Sequence, residues 1–175
     1  MAELMIITGP PGAGKSTVAA IVANTFDHSA LVAGDQFFGF LARGYISPWL
    51  TEANYQNDIV TQAAAAAAGR LVIGGYHVVF DGVIGPWFLP TFLTAAGLDR
   101  LHYVVLMPSE ECCVQRVQQR AGHGFTDIAS TRHMHRQFAD ARIDDQHVLA
   151  NPADQPEATA MVIQDRITDG SLIFG

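Results

Sequence analysis

Short apolar runs alternate along the chain with longer segments that mix apolar and polar residues. The runs have the length and composition of buried strands, and aspartates closely follow two of them. They predict strands over 4–8, 30–33, 76–80, 101–107, 146–149 and 172–174. The mixed segments predict helices over 16–26, 86–96, 109–120, 129–142 and 156–168, one or two helical turns over 36–43, and a long helix that starts near residue 51.

The long helix carries two local signals. Thr51, with Asn54 three residues later, is a weak variant of the capping box and predicts the N-terminus of the helix. The alanine run at 63–68 predicts a helix packed closely against the sheet, because alanine is the best helix former and occupies little space.

The alternation of strands and helices predicts an α/β fold with a parallel sheet, helices on both faces and right-handed crossovers. With 175 residues and no internal repeat or linker, we expect one domain over residues 1–175. Ligands of such sheets bind beyond the carboxyl ends of the strands, so candidate functional residues are expected there.

A glycine-rich motif follows the first predicted strand. The stretch GPPGAGKS at 9–16 matches G-x-x-x-x-G-K-[ST] and leads into a predicted helix, which is the context that a phosphate-binding loop requires. Lys15 would reach the β- and γ-phosphates of a nucleotide, Ser16 would bind Mg²⁺, and Thr17 would contact the α-phosphate. The predicted nucleotide-binding residues are Gly9, Pro10, Pro11, Gly12, Ala13, Gly14, Lys15, Ser16 and Thr17.

The overall composition narrows the class of partner. Lys15 is the only lysine, the arginines are scattered, and the net charge of −7 argues against nucleic acid or an anionic membrane surface. Cys112 and Cys113 are adjacent, which disfavours both an ordinary disulfide and a zinc site. No leader peptide or membrane-spanning run is evident, so a cytoplasmic protein is expected.

Two aspartates follow predicted strands. Asp35 comes after the second strand and Asp81 after the third, so both are expected at the carboxyl edge beside the phosphates. One carboxylate would orient or deprotonate an acceptor hydroxyl, and the other would hold Mg²⁺ directly or through water. The spacing leaves open which aspartate has which role.

With this loop and these strand ends, the chain resembles the small P-loop kinases, the group that includes gluconate kinase, shikimate kinase and chloramphenicol phosphotransferase. The resemblance implies a central sheet in the order 2-3-1-4-5, ATP and Mg²⁺ as cofactors, and a mobile lid, here at about 121–131. It assigns Asp35 as the base and Asp81 as the metal-side carboxylate. It also implies that Arg116 and Arg120, four residues apart before the lid, contact the nucleotide and stabilise the transferring phosphoryl group.

The region between Asp35 and Asp81 is rich in aromatic residues and contains only two arginines. A phosphate or carboxylate on the acceptor would require more basic residues, so we expect an uncharged, partly apolar molecule with a hydroxyl group. The alternatives are a nucleoside or nucleotide kinase and a nucleotide-binding regulatory ATPase. Candidate acceptor-binding residues are Asp35, Arg43, Tyr45, Trp49, Tyr55 and Trp87.

Overall fold

The apolar runs form the strands of one sheet in the computed structural model, which describes residues 2–119, 127–150 and 155–175. The strands are β1 (Leu4–Thr8), β2 (Ser29–Ala33), β3 (His77–Asp81), β4 (Leu101–Leu106), β5 (Val148–Leu149) and β6 (Ile173–Phe174). The predicted order is confirmed, because β1 to β5 lie parallel as β2-β3-β1-β4-β5. β6 differs: it pairs antiparallel with the first residues of β4, away from the carboxyl edge.

The mixed segments form the helices. In the described ranges these are α1 (Lys15–Ala23), α2 (Asn54–Ile73), α3 (Leu89–Ala96), α4 (Glu110–Gln119), α5 (Ile128–Asp140) and α6 (Pro156–Thr168). Single 3₁₀ segments occupy Gly34–Phe40, Thr51–Ala53, Pro86–Phe88 and Asp145–His147. None of the helices in these ranges is both long and apolar enough to cross a membrane.

Alternate residues of the central strands face two separate cores. Ile6 of β1 and Phe80 of β3 pack with α2 and α3 on one face of the sheet. Ile7 and Val79, each adjacent in sequence to one of these residues, pack with α1 and α6 on the other face. This period of two explains why β1 and β4 are apolar at nearly every position: both of their faces are covered by helices.

The parallel register brings three strand ends to one level. Ile7 of β1 and Ala33 of β2 both pair with Asp81, the last residue of β3. Thr8 pairs with Val105 on the other side of β1. The segments that follow β1, β2 and β3 therefore leave the sheet side by side.

The alanine-rich part of α2 lies in the core, where Ala64, Ala65 and Ala68 join the cluster formed by β1 and β3. Gly69 lies directly against α3, because a Cβ built on it would overlap the carbonyl oxygen of Ala96. The small side chains thus allow α2 to approach the sheet and α3 at the same time.

The predicted cap of the long helix is wrong. Thr51 begins a 3₁₀ turn, α2 starts at Asn54, and the residue at its N-cap, Ala53, offers no side-chain hydrogen bond. The turn is closed instead by the backbone, since the N–H of Ala53 donates to the carbonyl of Leu50 at 3.0 Å. A 3₁₀ turn closed by backbone hydrogen bonds therefore forms in place of the weak capping box.

We predict that Gly69→Ala lowers the free energy of unfolding by about 1–3 kcal/mol, because the new methyl group overpacks the α2–α3 contact. This sign is opposite to the gain of about 1 kcal/mol that helix propensity alone would give. Urea unfolding midpoints measure the change. Gly39→Ala is the matched control, since a Cβ there meets no atom within 4 Å; equal stability of the two variants would contradict the packing argument.

Candidate active site

The phosphate loop, residues 9–16, joins β1 to α1. Its glycines let the backbone of neighbouring elements pack tightly against it. Gly9 and Gly12 have φ angles of 140° and 84°, in the left-handed range that favours glycine. A Cβ on Gly9 would overlap the carbonyl oxygen of Leu106 in β4, and one on Gly12 would overlap that of Cys113 in α4. The close approach of β4 and α4 therefore fixes the loop in a shape that can direct backbone N–H groups towards an anion.

Lys15 is the first residue of α1, and its ammonium group folds back over the loop. Its Nζ donates a hydrogen bond to the carbonyl of Pro10 at 3.0 Å, and the side chain is buried. Ser16 and Thr17 beside it are exposed at the helix N-terminus, where the first N–H groups have no partner within the helix. An anion at this position would meet the ammonium group and the positive end of the helix dipole.

A cavity of about 870 Å³ opens at the carboxyl edge of the sheet. Lys15, Ser16, Asp35 and Asp81 all line it. The aspartates reach the same space because Ala33 and Asp81 are in register, so the segments after β2 and β3 emerge together. The structure thus brings these four predicted residues together, while the division of roles between the two aspartates stays a prediction.

Mg²⁺ is the cation that the phosphate loop implies, and two described side chains fit it. Over residues 2–119, 127–150 and 155–175, no three His, Cys, Asp or Glu side chains group together as a metal site. Mg²⁺ needs no such cluster, because one or two protein oxygens, the phosphates of the nucleotide and waters usually complete its octahedron. The Ser16 hydroxyl and the Asp81 carboxylate are oxygen ligands of the kind Mg²⁺ prefers, and both residues line the cavity.

Aromatic and amide side chains line a large part of the rest of the cavity. Its aromatic lining consists of Phe38, Tyr45, Trp49, Phe80, Trp87 and Phe88. α2 contributes Asn54, Asn57 and Thr61, which recur at intervals that place them on one helix face. Lys15 is the single lysine or arginine among the described lining residues.

Two predicted acceptor-binding residues lie away from this cavity. Tyr55 is 79% exposed, because it follows Asn54 by one residue on α2 and therefore points about 100° away from the cavity face. Arg43 is exposed and absent from the lining. Gly44, with a φ of 77°, turns the chain after it, and the lining resumes at Tyr45. Neither Arg43 nor Tyr55 is thus among the residues that line the cavity, and their contacts with the acceptor stay a prediction.

Arg116 of α4 lies against the phosphate loop, where its Nη1 donates to the carbonyl of Gly12 at 3.4 Å. This position is compatible with its predicted contact with the nucleotide. Arg120, predicted to be catalytic, and residues 121–126 of the predicted lid lie outside the described residues. Residues 128–131, also placed in the lid, form the first turn of α5, which Asp127 caps by accepting a hydrogen bond from the Ser130 N–H at 3.0 Å.

The arginines of α5 pair with the start of α4. Glu110 accepts hydrogen bonds from Arg132 and, at 3.4 Å, from Arg136. His135 lies 2.9 Å from the carbonyl of Pro108 in the same region. The hydrogen bond from Arg132 is the main cause that holds the pKa of Glu110 below its usual range. These contacts tie α5, which supplies His133 to the cavity, to α4.

Sequence reasoning missed the residues that hold the loop after Asp81. The Ile84 N–H donates to the Thr8 hydroxyl at 2.8 Å, and the Tyr103 hydroxyl donates to the Ile84 carbonyl at 2.9 Å. Burial raises the pKa of Tyr103, so this hydroxyl keeps the proton that it donates. The sequence offered one signal for this contact, because Thr8 is a polar residue at the end of an otherwise apolar strand. The structure shows that Thr8 is fully buried.

Comparisons with known proteins agree with this geometry. A family model described as "AAA domain" matches residues 5–126, which include the phosphate loop and both aspartates. The tunicamycin resistance protein of Deinococcus radiodurans has a similar structure, with a TM-score of 0.71, 13% identity and coverage of 95% of this chain and 96% of that chain. Comparison with curated proteins gives no match.

Two kinases are also similar in structure. A gluconokinase from Sinorhizobium meliloti 1021 has a TM-score of 0.64 and 20% identity, over 96% of this chain and 94% of that one. The APS kinase of Mycobacterium tuberculosis, solved with AMPPNP and APS, has a TM-score of 0.69 and 20% identity, over 95% and 98%. At these identities the likeness shows the fold.

We predict that Glu110→Gln destabilises the protein at neutral pH and has less effect in acid. Because folding lowers the pKa of Glu110, its contribution is full above the unfolded value near 4.5 and is lost as the pH falls through the lowered folded value. The difference in urea midpoint between wild type and variant should shrink between pH 7 and pH 3 and also in high salt.

Glu111→Gln is the control for this change. Glu111 is exposed and lies with Glu110 in the first turn of α4, so both substitutions remove a similar interaction with the helix dipole. A pH-independent loss in Glu110→Gln, or the same loss in both variants, would contradict the role of the Glu110 ion pairs.

Proposed function

Because the chain belongs to the AAA domain family and has the fold of P-loop kinases, we propose that it transfers the γ-phosphoryl group of ATP to a hydroxyl group of a small molecule. One observation carries the proposal. The phosphate loop, two strand-end carboxylates and an aromatic wall line the same cavity, which has space for a nucleotide terminus beside an acceptor. The structural similarity to an APS kinase solved with AMPPNP supports the proposal that the chain binds a nucleotide.

In the proposed reaction, the backbone N–H groups of the loop and the N-terminus of α1 bind the triphosphate. Lys15 leaves its hydrogen bond to Pro10 and contacts the β- and γ-phosphates. Ser16 and Asp81 would hold Mg²⁺, which neutralises part of the phosphate charge when it is bound. These residues make the γ-phosphorus accessible to a nucleophile on the side of the cavity that Asp35 lines.

Asp35 orients the acceptor hydroxyl and accepts its proton. As the hydroxyl oxygen bonds to the γ-phosphorus, the bond to the bridging oxygen breaks and ADP leaves with the electron pair. Negative charge spreads over the phosphoryl oxygens during this transfer, and Lys15 offsets it. By the resemblance to small P-loop kinases, Arg116 and Arg120 would add positive charge at the same point.

The proposed acceptor is an uncharged molecule with a hydroxyl group and an apolar face. A carboxylate or phosphate on the acceptor would need its own cation, and Lys15 is the one lysine or arginine among the described residues that line the cavity. Phe38, Tyr45 and Trp49 suit an apolar ring, whereas the exposed amide of Asn54 can bond neutral hydroxyl or amide groups.

ADP release with ATP and Mg²⁺ tests the proposal directly. The panel contains sugars, sugar acids, nucleosides, nucleoside monophosphates and hydroxylated antibiotics. We expect a neutral member to increase ADP release and to carry the phosphate afterwards, and we expect Lys15→Ala to lower this turnover at least 100-fold. Tight ATP binding with no stimulation by any member would favour the regulatory ATPase, and stimulation by a monophosphate would favour a nucleotide kinase.

Asp35→Asn and Asp81→Asn separate the roles of the two carboxylates. We expect Asp35→Asn to lower kcat by about 10²–10⁴-fold while the Kd of MgATP changes less than about threefold, because only the proton acceptor is lost. Asp81→Asn should raise the Mg²⁺ concentration that gives half-maximal activity, because a ligand of the metal is lost. A reversed pattern would exchange the two assignments, and equal losses in kcat and MgATP affinity for Asp35→Asn would place it beside the metal.

A further inference from the structure

Two aromatic residues of the cavity lining, Tyr45 and Trp49, lie on a segment with no regular structure of its own, and these two side chains are called the aromatic wall below. Residues 41–50 form neither helix nor strand. The segment contains a turn from Ser47 to Leu50, which is closed by a backbone hydrogen bond of 3.0 Å. Such a segment has many accessible conformations, so contacts from outside must select the one in which Tyr45 and Trp49 line the cavity.

Two adjacent side chains of α2 provide such contacts. Gln56 accepts a hydrogen bond from the Ile46 N–H at 2.8 Å and donates one to the Ile46 carbonyl at 2.7 Å. Asn57 donates to the Pro48 carbonyl at 2.7 Å. No motif marks either residue, and neither was predicted from the sequence.

We propose that Gln56 and Asn57 are positioning residues that fix the aromatic wall for the acceptor, an inference that rests on the proposed phosphotransfer. Gln56 bonds both polar groups of one backbone residue, as a neighbouring strand would, and this fixes the position and the orientation of Ile46. Asn57 fixes a second point two residues later. Tyr45 and Trp49 lie just outside the two fixed points, one on each side.

The state of Asn57 agrees with this role. Its Oδ1 is buried and has no hydrogen-bond partner among the described residues, although such a group is unfavourable when unpaired. Its Nδ2 makes the bond to Pro48. The hydrogen bond from Nδ2 to Pro48 therefore determines the orientation of the Asn57 side chain. This bond holds the segment in position although Oδ1 of Asn57 is left unpaired.

The chain contains a convenient reporter of this wall. Trp49 and Trp87 are its only two tryptophans, and both line the cavity. In a Trp87→Phe background, the fluorescence of Trp49 reports the wall alone, and quenching by acrylamide measures its exposure. This measurement needs neither nucleotide nor acceptor, so it tests the positioning even if the proposed reaction fails.

The test substitution is Gln56→Met, which keeps the length of the side chain and its helix propensity but removes both bonds to Ile46. Gln62→Met is the matched control, because the exposed Gln62 also lies on α2 but its hydrogen bond, at 2.8 Å, goes to Asp58 of the same helix. We expect the acrylamide quenching constant of Trp49 to rise about twofold in Gln56→Met and to be unchanged in Gln62→Met. Asn57→Ala, measured in the same way, should also raise it.

Kinetics with the acceptor found in the panel complete the test, using proteins that retain Trp87. Gln56→Met should raise the acceptor KM about tenfold, with the KM of ATP and the thermal midpoint close to wild type. Unchanged quenching in Gln56→Met would overturn the proposal. So would equal effects in Gln62→Met, or increased quenching with an unchanged acceptor KM, because the position of the wall would then not matter to the acceptor.

Discussion

The candidate site depends on the parallel register of β1, β2 and β3. Ile7 and Ala33 both pair with Asp81, so the chain leaves the sheet at one level on three adjacent strands. A shift of β2 by one residue would exchange the faces of its side chains and would move the segment that carries Asp35 away from Asp81. The apolar faces of the strands, which pack against helices on both sides, make such a shift costly. The packing of the core thus fixes the positions of the candidate site residues at the carboxyl edge of the sheet.

Core residues also support the site directly. Thr8 and Tyr103 are buried, and their hydroxyl groups bond the two polar groups of Ile84, three residues after Asp81. At the other side of β1, Gly9 and Gly12 allow β4 and α4 to approach the phosphate loop at backbone distance. Strand ends, loop and helix N-terminus therefore form one packed unit.

The features that depend on contiguous residues could be predicted from the sequence. The phosphate loop and the two aspartates follow apolar runs, and a run that forms a buried strand determines where the next residues lie. The acceptor side was harder. Tyr55 and Trp49 have similar local contexts, yet one is exposed on α2 and the other lines the cavity, because the start of α2 at Asn54 sets which face turns inward.

Long-range side-chain contacts were not predictable at all. Thr8 and Ile84 are 76 residues apart, and their hydrogen bond follows from the pairing of strands rather than from any periodicity. The two bonds between Gln56 and Ile46 join a helix to a segment without a repeating pattern. A glutamine on a helix face is ordinarily a solvated residue, so nothing in the residue type distinguishes Gln56 from Gln62.

The charge distribution separates the two halves of the cavity. The chain has a net charge of −7, but anion binding at the loop requires only local donors: backbone N–H groups, the α1 N-terminus and Lys15. Asp35 and Asp81 line the same cavity as the aromatic side chains and the amides of Asn54 and Asn57. In the proposed reaction, an anionic acceptor would lose its hydration there beside two carboxylates and would find no arginine or second lysine among the described lining residues, so desolvation and repulsion would disfavour it. A neutral acceptor meets neither cost. Under the proposed function, the shape of the aromatic wall would then contribute to selectivity among neutral acceptors.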